Sequence, residues 1–491
     1  MLPYPIGDQL THLKEEGRIP FHMPGHKRKE ISFFKDVMSK DITEITGYDN
    51  LHHPEGMIAE SMDLLKRIYH SKKSWYLVNG STVGILAAIS ATCNPGDYIM
   101  IARNCHKAVY NAVRLLHLHP VYLYPSYSEE FDMMQGIVEE DVVVIDEMIQ
   151  RYEKEGKKIK ALLITSPTYE GVVSNVAALK EMTKNYGIPL IVDEAHGAHL
   201  VFHEAFPKSA VDCGADLVIQ SSHKTLPAFT QTALLHLCSD QISQEKVEEM
   251  LSIYQTSSPS YLLMASAEYG VIYSQNHPDK MAEYVDNLMD FRKKCAQLKH
   301  ISLLEKGDVK GFDYDIGKLV FISRVNGFSG KNLFDQMLND FSIEFEMETA
   351  GYCIAMTSIM DEKDDYDALW HALESVDHDL DQRMSSQFQE EASEELQEMI
   401  QEQKLFDGKP EKAMEAWEAL DMEGEEVDWL LCDGRIAKDY LYLYPPGIPL
   451  LVPGEKITKE MLVKLNYYLY NGYNVPSLSE GKLRVLKESK K

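Results

Sequence analysis

Seven short runs of almost wholly apolar residues restrict the fold of this chain more than any other feature. They occupy residues 75–78, 98–102, 121–124, 161–165, 188–192, 216–220 and 232–237. Such runs are typical of strands that are covered on both faces. The stretches between them carry helix signals: Ser174 can cap a helix that starts near Asn175, and Gly187 followed by Pro189 can end it. The alternation predicts an α/β fold with a mostly parallel sheet.

The length of the chain, 491 residues, predicts two or three domains. We expect an N-terminal helical segment over residues 1–70 and a large α/β domain over 71–280. The patterns that follow predict a smaller α+β domain over 281–376 and a C-terminal domain over 377–491. Residues 381–430 are strongly acidic with helical spacing, which is typical of a solvated helical face.

Charge and composition exclude several classes of protein. The net charge of −28 repels nucleic acid and weakly favours a cationic substrate, although an acidic excess also serves solubility. No apolar run approaches the roughly 20 residues that span a bilayer, and the N-terminus does not resemble a signal peptide. The seven scattered cysteines form no CxxC pair. We therefore expect a cytoplasmic protein without membrane or nucleic-acid partners.

The sequence Asn79-Gly80-Ser81-Thr82 follows the first apolar run and opens an apolar helix. The glycine permits a sharp turn, after which the free N–H groups and positive end of the helix can face an anion. The hydroxyls of Ser81 and Thr82 add donors. The segment can bind a phosphate, although a motif this short is also typical of an ordinary helix start.

A carboxylate and a lysine follow at the ends of two successive strands. Asp193 ends one strand, where ligands of open α/β sheets bind, and can keep a pyridine nitrogen protonated. Lys224 lies 31 residues further on, after Ser221 and His223. One strand–helix–strand unit would place Lys224 and Asp193 at the same edge, where a desolvated lysine amine can condense with an aldehyde. Together with the phosphate segment, this order predicts pyridoxal 5′-phosphate (PLP) as the cofactor.

Several histidines occupy positions that could serve metal binding or cofactor contacts. His196 and His199 lack the i, i+4 spacing of a helical zinc pair, so we expect no metal. His196 is expected to contact the cofactor or to support Asp193. His106 follows the strand over 98–102, from where its imidazole can stack on a pyridine ring.

The letters DEAH at 193–196 also spell the Walker B box of a helicase class. Such an enzyme needs a GxxxxGK[ST] phosphate loop. Every Gly-Lys pair in this chain is followed by Lys, Leu, Asn or Pro, which excludes that interpretation.

The chain resembles the ornithine/lysine/arginine decarboxylase family of fold type I PLP enzymes. The resemblance is collinear and covers nearly the whole chain. The segments that carry it are residues 19–28, 41–56, 78–85, 102–108, 166–172, 191–199, 221–225 and 434–455.

The resemblance implies a role for each matching residue. Lys224 is similar to the lysine that carries PLP, with His223 beside it. Asp193 is similar to the partner of the pyridinium nitrogen, and His106 to the histidine that stacks on the ring. Matching positions imply phosphate contacts for Ser81, Thr82 and Ser221.

Glu455, in the PGE motif, is similar to an acidic residue near the distal cation of the substrate. A surface turn is the alternative interpretation of this residue. The chain begins close to the HMPGH segment, so we expect the short form without the N-terminal wing domain of the long bacterial members. The resemblance implies a homodimer with sites completed across the interface.

The function that follows is decarboxylation of a basic L-amino acid. Asp193 keeps the ring nitrogen protonated while CO₂ leaves, and His223 or Lys224 returns a proton to Cα. Resemblance to the short members favours arginine, with agmatine as product, over lysine or ornithine. An aminotransferase, a β-eliminating lyase and a non-enzymatic PLP-binding protein remain as alternatives.

Overall fold

The computed structural model describes most of the chain and shows the predicted α/β architecture. The described residues are 19–21, 49–128, 130–131, 133–325, 327–349, 351–386, 409–442, 449–470 and 475–487. Most of the predicted helical segment over 1–70, including residues 22–28 of the 19–28 motif, lies outside these ranges. The same is true of the middle of the acidic stretch over 381–430.

A seven-stranded sheet forms the centre of the fold. Its strands are β1 (Lys73–Leu77), β2 (Tyr98–Ala102), β3 (His119–Leu123), β4 (Ile159–Thr165), β5 (Leu190–Asp193), β6 (Leu217–Gln220) and β7 (Ala233–Leu237). All seven predicted strands are confirmed, and each boundary lies within two residues of the prediction. Because most of their residues are buried, apolar continuity was a reliable signal.

The strand order β1-β7-β6-β5-β4-β2-β3 places β5 at the centre of the sheet. Strand β7 is antiparallel to both of its neighbours, and the other neighbouring pairs are parallel. Asp193 is in register with Thr165 of β4 and Ile219 of β6. The carboxyl ends of these strands therefore meet at one edge.

The helices in the described ranges cover both faces of this sheet and build the rest of the fold. They are α1 (Met57–Ile68), α2 (Gly80–Thr92), α3 (Lys107–Leu115), α4 (Glu139–Lys154), α5 (Val176–Tyr186), α6 (Ser222–Thr225), α7 (Gln244–Tyr254), α8 (Tyr261–Asn276), α9 (Pro278–Cys295), α10 (Gly330–Phe341), α11 (Lys363–Ser386), α12 (Ala416–Asp421) and α13 (Lys459–Tyr470). None of the helices in the described ranges is long and apolar enough to cross a membrane.

Helix α2 lies close against the sheet. A Cβ at Gly84 would come within 2.6 Å of Leu77 Cδ1 and 3.0 Å of Ile219 Cγ2. Only a glycine therefore allows this approach, which brings the first turn of α2 to the edge where β5 and β6 end.

A second, four-stranded sheet packs beside the first. Its strands, in the antiparallel order β8-β9-β11-β10, are β8 (Ile301–Leu303), β9 (Lys318–Ser323), β10 (Met347–Glu348) and β11 (Tyr352–Met356). The short antiparallel pair Val172–Val173 and Asp313–Tyr314 joins the segment after β4 to the approach of β9. Residues of β9 are thereby held near the site edge of the large sheet.

The remaining strands of the described ranges form small pairs. Ile19–Phe21 is parallel to Ile343–Phe345, and Tyr127–Ser128 pairs with Met133–Met134. In the C-terminal part, β12 (Gly424–Asp428) is antiparallel to β13 (Lys482–Leu486), and Leu441–Tyr442 pairs with Pro449–Leu451.

The predicted start of helix α5 is wrong by one residue. Asn175, not Ser174, is the N-cap, and its Oδ1 accepts from Ala178 N at 3.1 Å. Ser174 Oγ instead accepts a hydrogen bond from Ile137 N at 3.0 Å. Because Ser174 makes this tertiary contact, Asn175 caps the helix in its place. The predicted end is confirmed, since Gly187 adopts a left-handed φ of 63°.

Replacing Gly187 by alanine should destabilise the protein by about 1 kcal/mol, because an L-residue is strained at this positive φ. Among the residues that the structure describes, no atom lies within 4 Å of the added Cβ, so backbone strain is the cause that remains. Urea unfolding measures the effect. Gly307→Ala is the matched control, since Gly307 has the same open space without a positive φ. Equal losses of stability in the two variants would contradict the prediction.

Candidate active site

Lys224 lies in the short helix α6, directly after β6. Its Nζ is 2.8 Å from Nε2 of His196 and 5.8 Å from the ring centroid of Tyr169. Burial lowers the pKa of Lys224, while the negative charges of Asp193 and Glu346 oppose the shift. The surroundings therefore favour the neutral amine more than water does, as a nucleophilic lysine requires.

Asp193 is the last residue of β5 and is only 2% exposed. Its Oδ1 accepts a hydrogen bond from Ala195 N at 3.2 Å. Burial raises the pKa of Asp193 to about 6, although the charge of Lys224 acts against the shift. The predicted carboxylate and lysine therefore lie in one site and influence each other.

Hydroxyl groups gather where α2 and α6 begin. Ser81 Oγ and Ser221 Oγ are 2.7 Å apart, and Gly80 turns the chain into α2 with a φ of +76°. The buried hydroxyls of Ser222 and Thr225 have no hydrogen-bond partner within the described ranges. Buried polar atoms are seldom left unsatisfied. The hydroxyls of Ser81 and Ser221 beside the turn at Gly80 fit a phosphate group, and the unsatisfied hydroxyls of Ser222 and Thr225 lie in the same short helix as Lys224.

The first turn of α2 is open to an anion. Asn79 occupies the N-cap position, but its side chain does not cap the helix. Its Oδ1 instead accepts from Thr256 N at 3.1 Å. Thr82 is exposed in the same turn. The N–H groups at this end of α2 are thus free of a side-chain cap, as an anion site requires.

Two predicted site histidines are held as neutral rings. His106 is the N-cap of α3, where its Nδ1 accepts from Ala108 N at 3.2 Å. Burial and the charges of Lys224 and Lys107 lower the pKa of His106 to about 4. Burial also lowers the pKa of His223 to about 4.

The protonation of His223 is constrained further by its hydrogen bond. Its Nδ1 lies 2.8 Å from Thr232 O, and a carbonyl oxygen can only accept. The proton of the neutral ring is therefore on Nδ1, and Nε2 is an acceptor. His223 must first gain a proton before it can protonate carbon.

Three residues that sequence reasoning missed complete the surroundings of Lys224. Lys318 Nζ, on β9, lies 2.8 Å from His196 Nδ1. Tyr169 OH donates to Glu346 Oε1 at 2.5 Å, and the Tyr169 ring centroid is 4.6 Å from that of His196. Tyr169 belongs to the 166–172 motif and was within reach of sequence reasoning. Lys318 lies on β9 and Glu346 directly before β10, and neither carries a sequence signal of its own.

Glu455 occupies a different environment from the other predicted residues. It is 1% exposed, and its Oε2 accepts from Arg103 Nη2 at 3.1 Å and from Val452 N at 2.7 Å. Burial raises the pKa of Glu455, and Arg103 opposes the shift. Arg103 follows β2 on the segment that leads to His106. Glu455 is thus linked to this segment rather than hydrogen-bonded to Lys224.

Histidines and carboxylates elsewhere near the site form pairs rather than larger clusters. His199 Nε2 lies 3.2 Å from Asp315 Oδ1. Within the described ranges, no group of three or more His, Cys, Asp or Glu side chains is placed to hold a metal ion.

The fold is that of the fold type I PLP-dependent enzymes, which include decarboxylases and aminotransferases. The lysine decarboxylase LdcF of Francisella novicida matches with a TM-score of 0.76 and 20% identity, covering 89% of this chain and 73% of that chain. An alanine–glyoxylate aminotransferase from Nostoc matches with a TM-score of 0.55 and 15% identity, covering 73% of this chain and 95% of that one.

Sequence similarity narrows this class to one family. Residues 4–339 match "Orn/Lys/Arg decarboxylase, major domain", and residues 393–472 match "Orn/Lys/Arg decarboxylase, C-terminal domain". The chain belongs to the Orn/Lys/Arg decarboxylase family of PLP-dependent enzymes. It is 33% identical to the uncharacterized protein YaaO of Bacillus subtilis (strain 168), over 91% of this chain and 90% of that protein. It is 29% identical to the arginine decarboxylase of the same organism, over 96% of this chain and 95% of that protein.

Replacing Asp193 by asparagine should stabilise the PLP-free protein at pH 8. Folding raises the pKa of the Asp193 carboxyl to about 6. Ionisation of this carboxyl therefore destabilises the fold increasingly as the pH rises from the pKa of the unfolded chain to about 6, and by the full amount above pH 6. The shift of about two units corresponds to about 3 kcal/mol. Urea unfolding of both proteins at pH 8 and in mild acid measures the gain, which should shrink in acid.

Asp315→Asn is the matched control, because Asp315 is also fully buried. Burial alone would raise the pKa of Asp315, but His199 and Lys318 hold it below its usual range. Its carboxylate therefore stabilises the fold above its unfolded pKa, and Asp315→Asn should destabilise the protein at pH 8. A loss of stability in both variants would refute the assignment for Asp193.

Proposed function

We propose that this chain is a PLP-dependent decarboxylase that converts a basic L-amino acid, arginine in the first place, into agmatine and CO₂. The observation that supports it most is the meeting of Lys224, Asp193 and an uncapped helix start at one sheet edge. The chain combines this arrangement with membership of a basic amino-acid decarboxylase family.

Each group of residues has a task toward the cofactor. Ser81, Thr82 and Ser221, with the N–H groups at the start of α2, hold the phosphate. Asp193 would accept a hydrogen bond from the ring nitrogen and keep it protonated, and Lys224 would supply the amine that links to the aldehyde carbon. When bound, PLP supplies an electron sink for the bond that breaks at Cα.

The histidines position the ring and the substrate. His106, at the start of α3 and held as a neutral ring, would stack on the cofactor. His196 contacts Lys224 from the segment that follows the neighbouring strand β5. The proton that replaces CO₂ at Cα comes from Lys224 or from His223, which receives a proton at Nε2 beforehand.

Preference for arginine is supported by relatives and by one unsatisfied atom. Curated relatives of about 28% identity from several Bacillus species are arginine decarboxylases. Glu455 Oε1 is buried and lacks a hydrogen-bond partner within the described ranges. A guanidinium presents several donors in a fixed plane and can satisfy such an acceptor. We propose that Glu455 receives the distal cation of the substrate, and that a homodimer completes the site.

Other reactions use the same fold. Lysine or ornithine would give cadaverine or putrescine through the same groups, and lysine decarboxylases share the architecture. An aminotransferase would use the same lysine and carboxylate but needs a keto acid to accept the amine. A non-enzymatic PLP-binding protein would keep the linkage and release no product.

Incubation of the PLP-loaded protein with arginine, lysine or ornithine in parallel, without keto acid, should release CO₂ and the matching amine fastest from arginine. Lys224→Ala should lose the absorbance of covalently bound PLP and reduce turnover by at least about a thousandfold, because the linking amine is gone. Release of CO₂ from none of the three substrates would refute the function. Retention of the covalent absorbance by Lys224→Ala would refute the linkage.

Replacing Glu455 by glutamine should raise KM for arginine about tenfold or more, because a charged contact to the substrate becomes a neutral one. Steady-state kinetics measures the change. Glu425→Gln is the control, since it weakens an ion pair with Arg435 that is more exposed and also lies in the C-terminal part of the chain. An unchanged KM with a lowered melting temperature would show that Glu455 serves only to pair with Arg103.

A further inference from the structure

Two lysine amines contact the two nitrogens of a single buried imidazole. Lys224 Nζ is 2.8 Å from His196 Nε2, and Lys318 Nζ is 2.8 Å from His196 Nδ1. His196 is 4% exposed and Lys318 is 1% exposed. Both ring nitrogens are therefore engaged by amines in a place that excludes bulk water.

The hydrogen-bonding capacity of these groups limits where the protons can be. A neutral imidazole has one N–H donor and one acceptor nitrogen, whereas an ammonium group only donates. Two ammonium groups cannot both bond to one neutral ring, because one of them would meet the N–H. A protonated ring would require two neutral amines, and burial together with the lysine charges lowers the pKa of His196 well below its usual range. With a neutral ring, at most one of the two amines is therefore an ammonium, and at least one is neutral.

The surroundings assign the charge to Lys318. The carboxylate of Asp315, three residues earlier in the chain, has its pKa held below the usual range in part by Lys318, so the two charges stabilise each other. At Lys224 the carboxylates of Asp193 and Glu346 favour the ammonium, but burial outweighs them. These surroundings favour the ammonium form at Lys318 and the neutral amine at Lys224.

We propose that Lys318 is a positioning residue that keeps Lys224 in its nucleophilic form through His196. The Lys318 ammonium donates to Nδ1 of His196 and fixes the ring proton on Nε2, which donates to the lone pair of Lys224. The neutral amine is the form that can attack an aldehyde carbon, losing two protons overall as the aldehyde oxygen leaves as water. The inference rests on the proposed function, because it specifies how the linking amine is prepared.

Several other titratable groups face this triad of Lys224, His196 and Lys318. They approach from the ends of β2, β5 and β6, from the segment after β4 and from the second sheet. These groups are His106, Asp193, His223, Tyr169, Glu346 and Asp315.

The test is the pH dependence of covalent PLP capture by the PLP-free protein. Capture is followed by absorbance and by mass spectrometry of the borohydride-reduced adduct at Lys224. In Lys318→Met the ring of His196 is free to place its proton on Nδ1 and to accept from a Lys224 ammonium. The midpoint of capture should therefore move to higher pH by about one unit or more.

Two further variants separate charge from burial. Lys318→Arg keeps a cation and should keep the midpoint close to that of the unmodified protein. Lys438→Met removes another buried lysine, whose Nζ donates to Ala419 O at 3.0 Å in the C-terminal part of the chain, and should leave the midpoint unchanged. A folded Lys318→Met protein with an unchanged midpoint would overturn the proposal.

A measurement on the unmodified chain covers the case in which Lys318→Met does not fold. Acylation of the PLP-free protein, read by peptide mass spectrometry, should show Lys224 reaching half of its maximal reactivity at lower pH than the exposed Lys482. Identical profiles would overturn the proposal. Failure of the unmodified protein to capture PLP at any pH would instead refute the proposed function, so the two failures are distinguishable.

Discussion

The removal of Lys224 and Asp193 from water at one sheet edge is the constraint on which the site depends. Burial disfavours the charged form of each group, so their pKa values move toward one another. A buried carboxylate is costly unless hydrogen bonds satisfy it, and Asp193 Oδ1 accepts one from Ala195 N. The parallel register of β4, β5 and β6 holds these two side chains in place despite the free-energy cost of their burial. Burial of these groups thus lowers the stability of the protein and at the same time forms the site in advance.

The second sheet takes part in the site rather than only covering it. Lys318 on β9 and Glu346 directly before β10 reach the surroundings of Lys224, and Tyr169 meets them from the segment after β4. The short strand pair Val172–Val173 and Asp313–Tyr314 ties these parts together. A displacement of the second sheet would therefore change the protonation of Lys224 as well as the shape of the site.

Sequence patterns predicted the central sheet and the parts of the site that depend on it. Buried parallel strands leave continuous apolar runs, and residues that follow such strands share one edge, which is why Asp193 and Lys224 could be paired in advance. Lys318 could not be assigned to the site from the sequence, because its contact with His196 spans 122 residues and follows from the packing of two sheets. The same holds for the partner of Glu455, since Arg103 is 352 residues away. The start of α5 was misplaced because the contact of Ser174 with Ile137 is tertiary.

The buried guanidinium of Arg103 has a consequence for engineering. It donates to Pro449 O at 2.6 Å and to Leu450 O at 3.2 Å, in addition to Glu455. Arg103 therefore links the segment that carries His106 to the C-terminal part of the chain. Of these three acceptors, the carboxylate of Glu455 is the one that carries a charge. A chimera that exchanges this part with a homologue must bring acceptors to the same three places. Otherwise an uncompensated cation would remain buried beneath the residue proposed to stack on the cofactor.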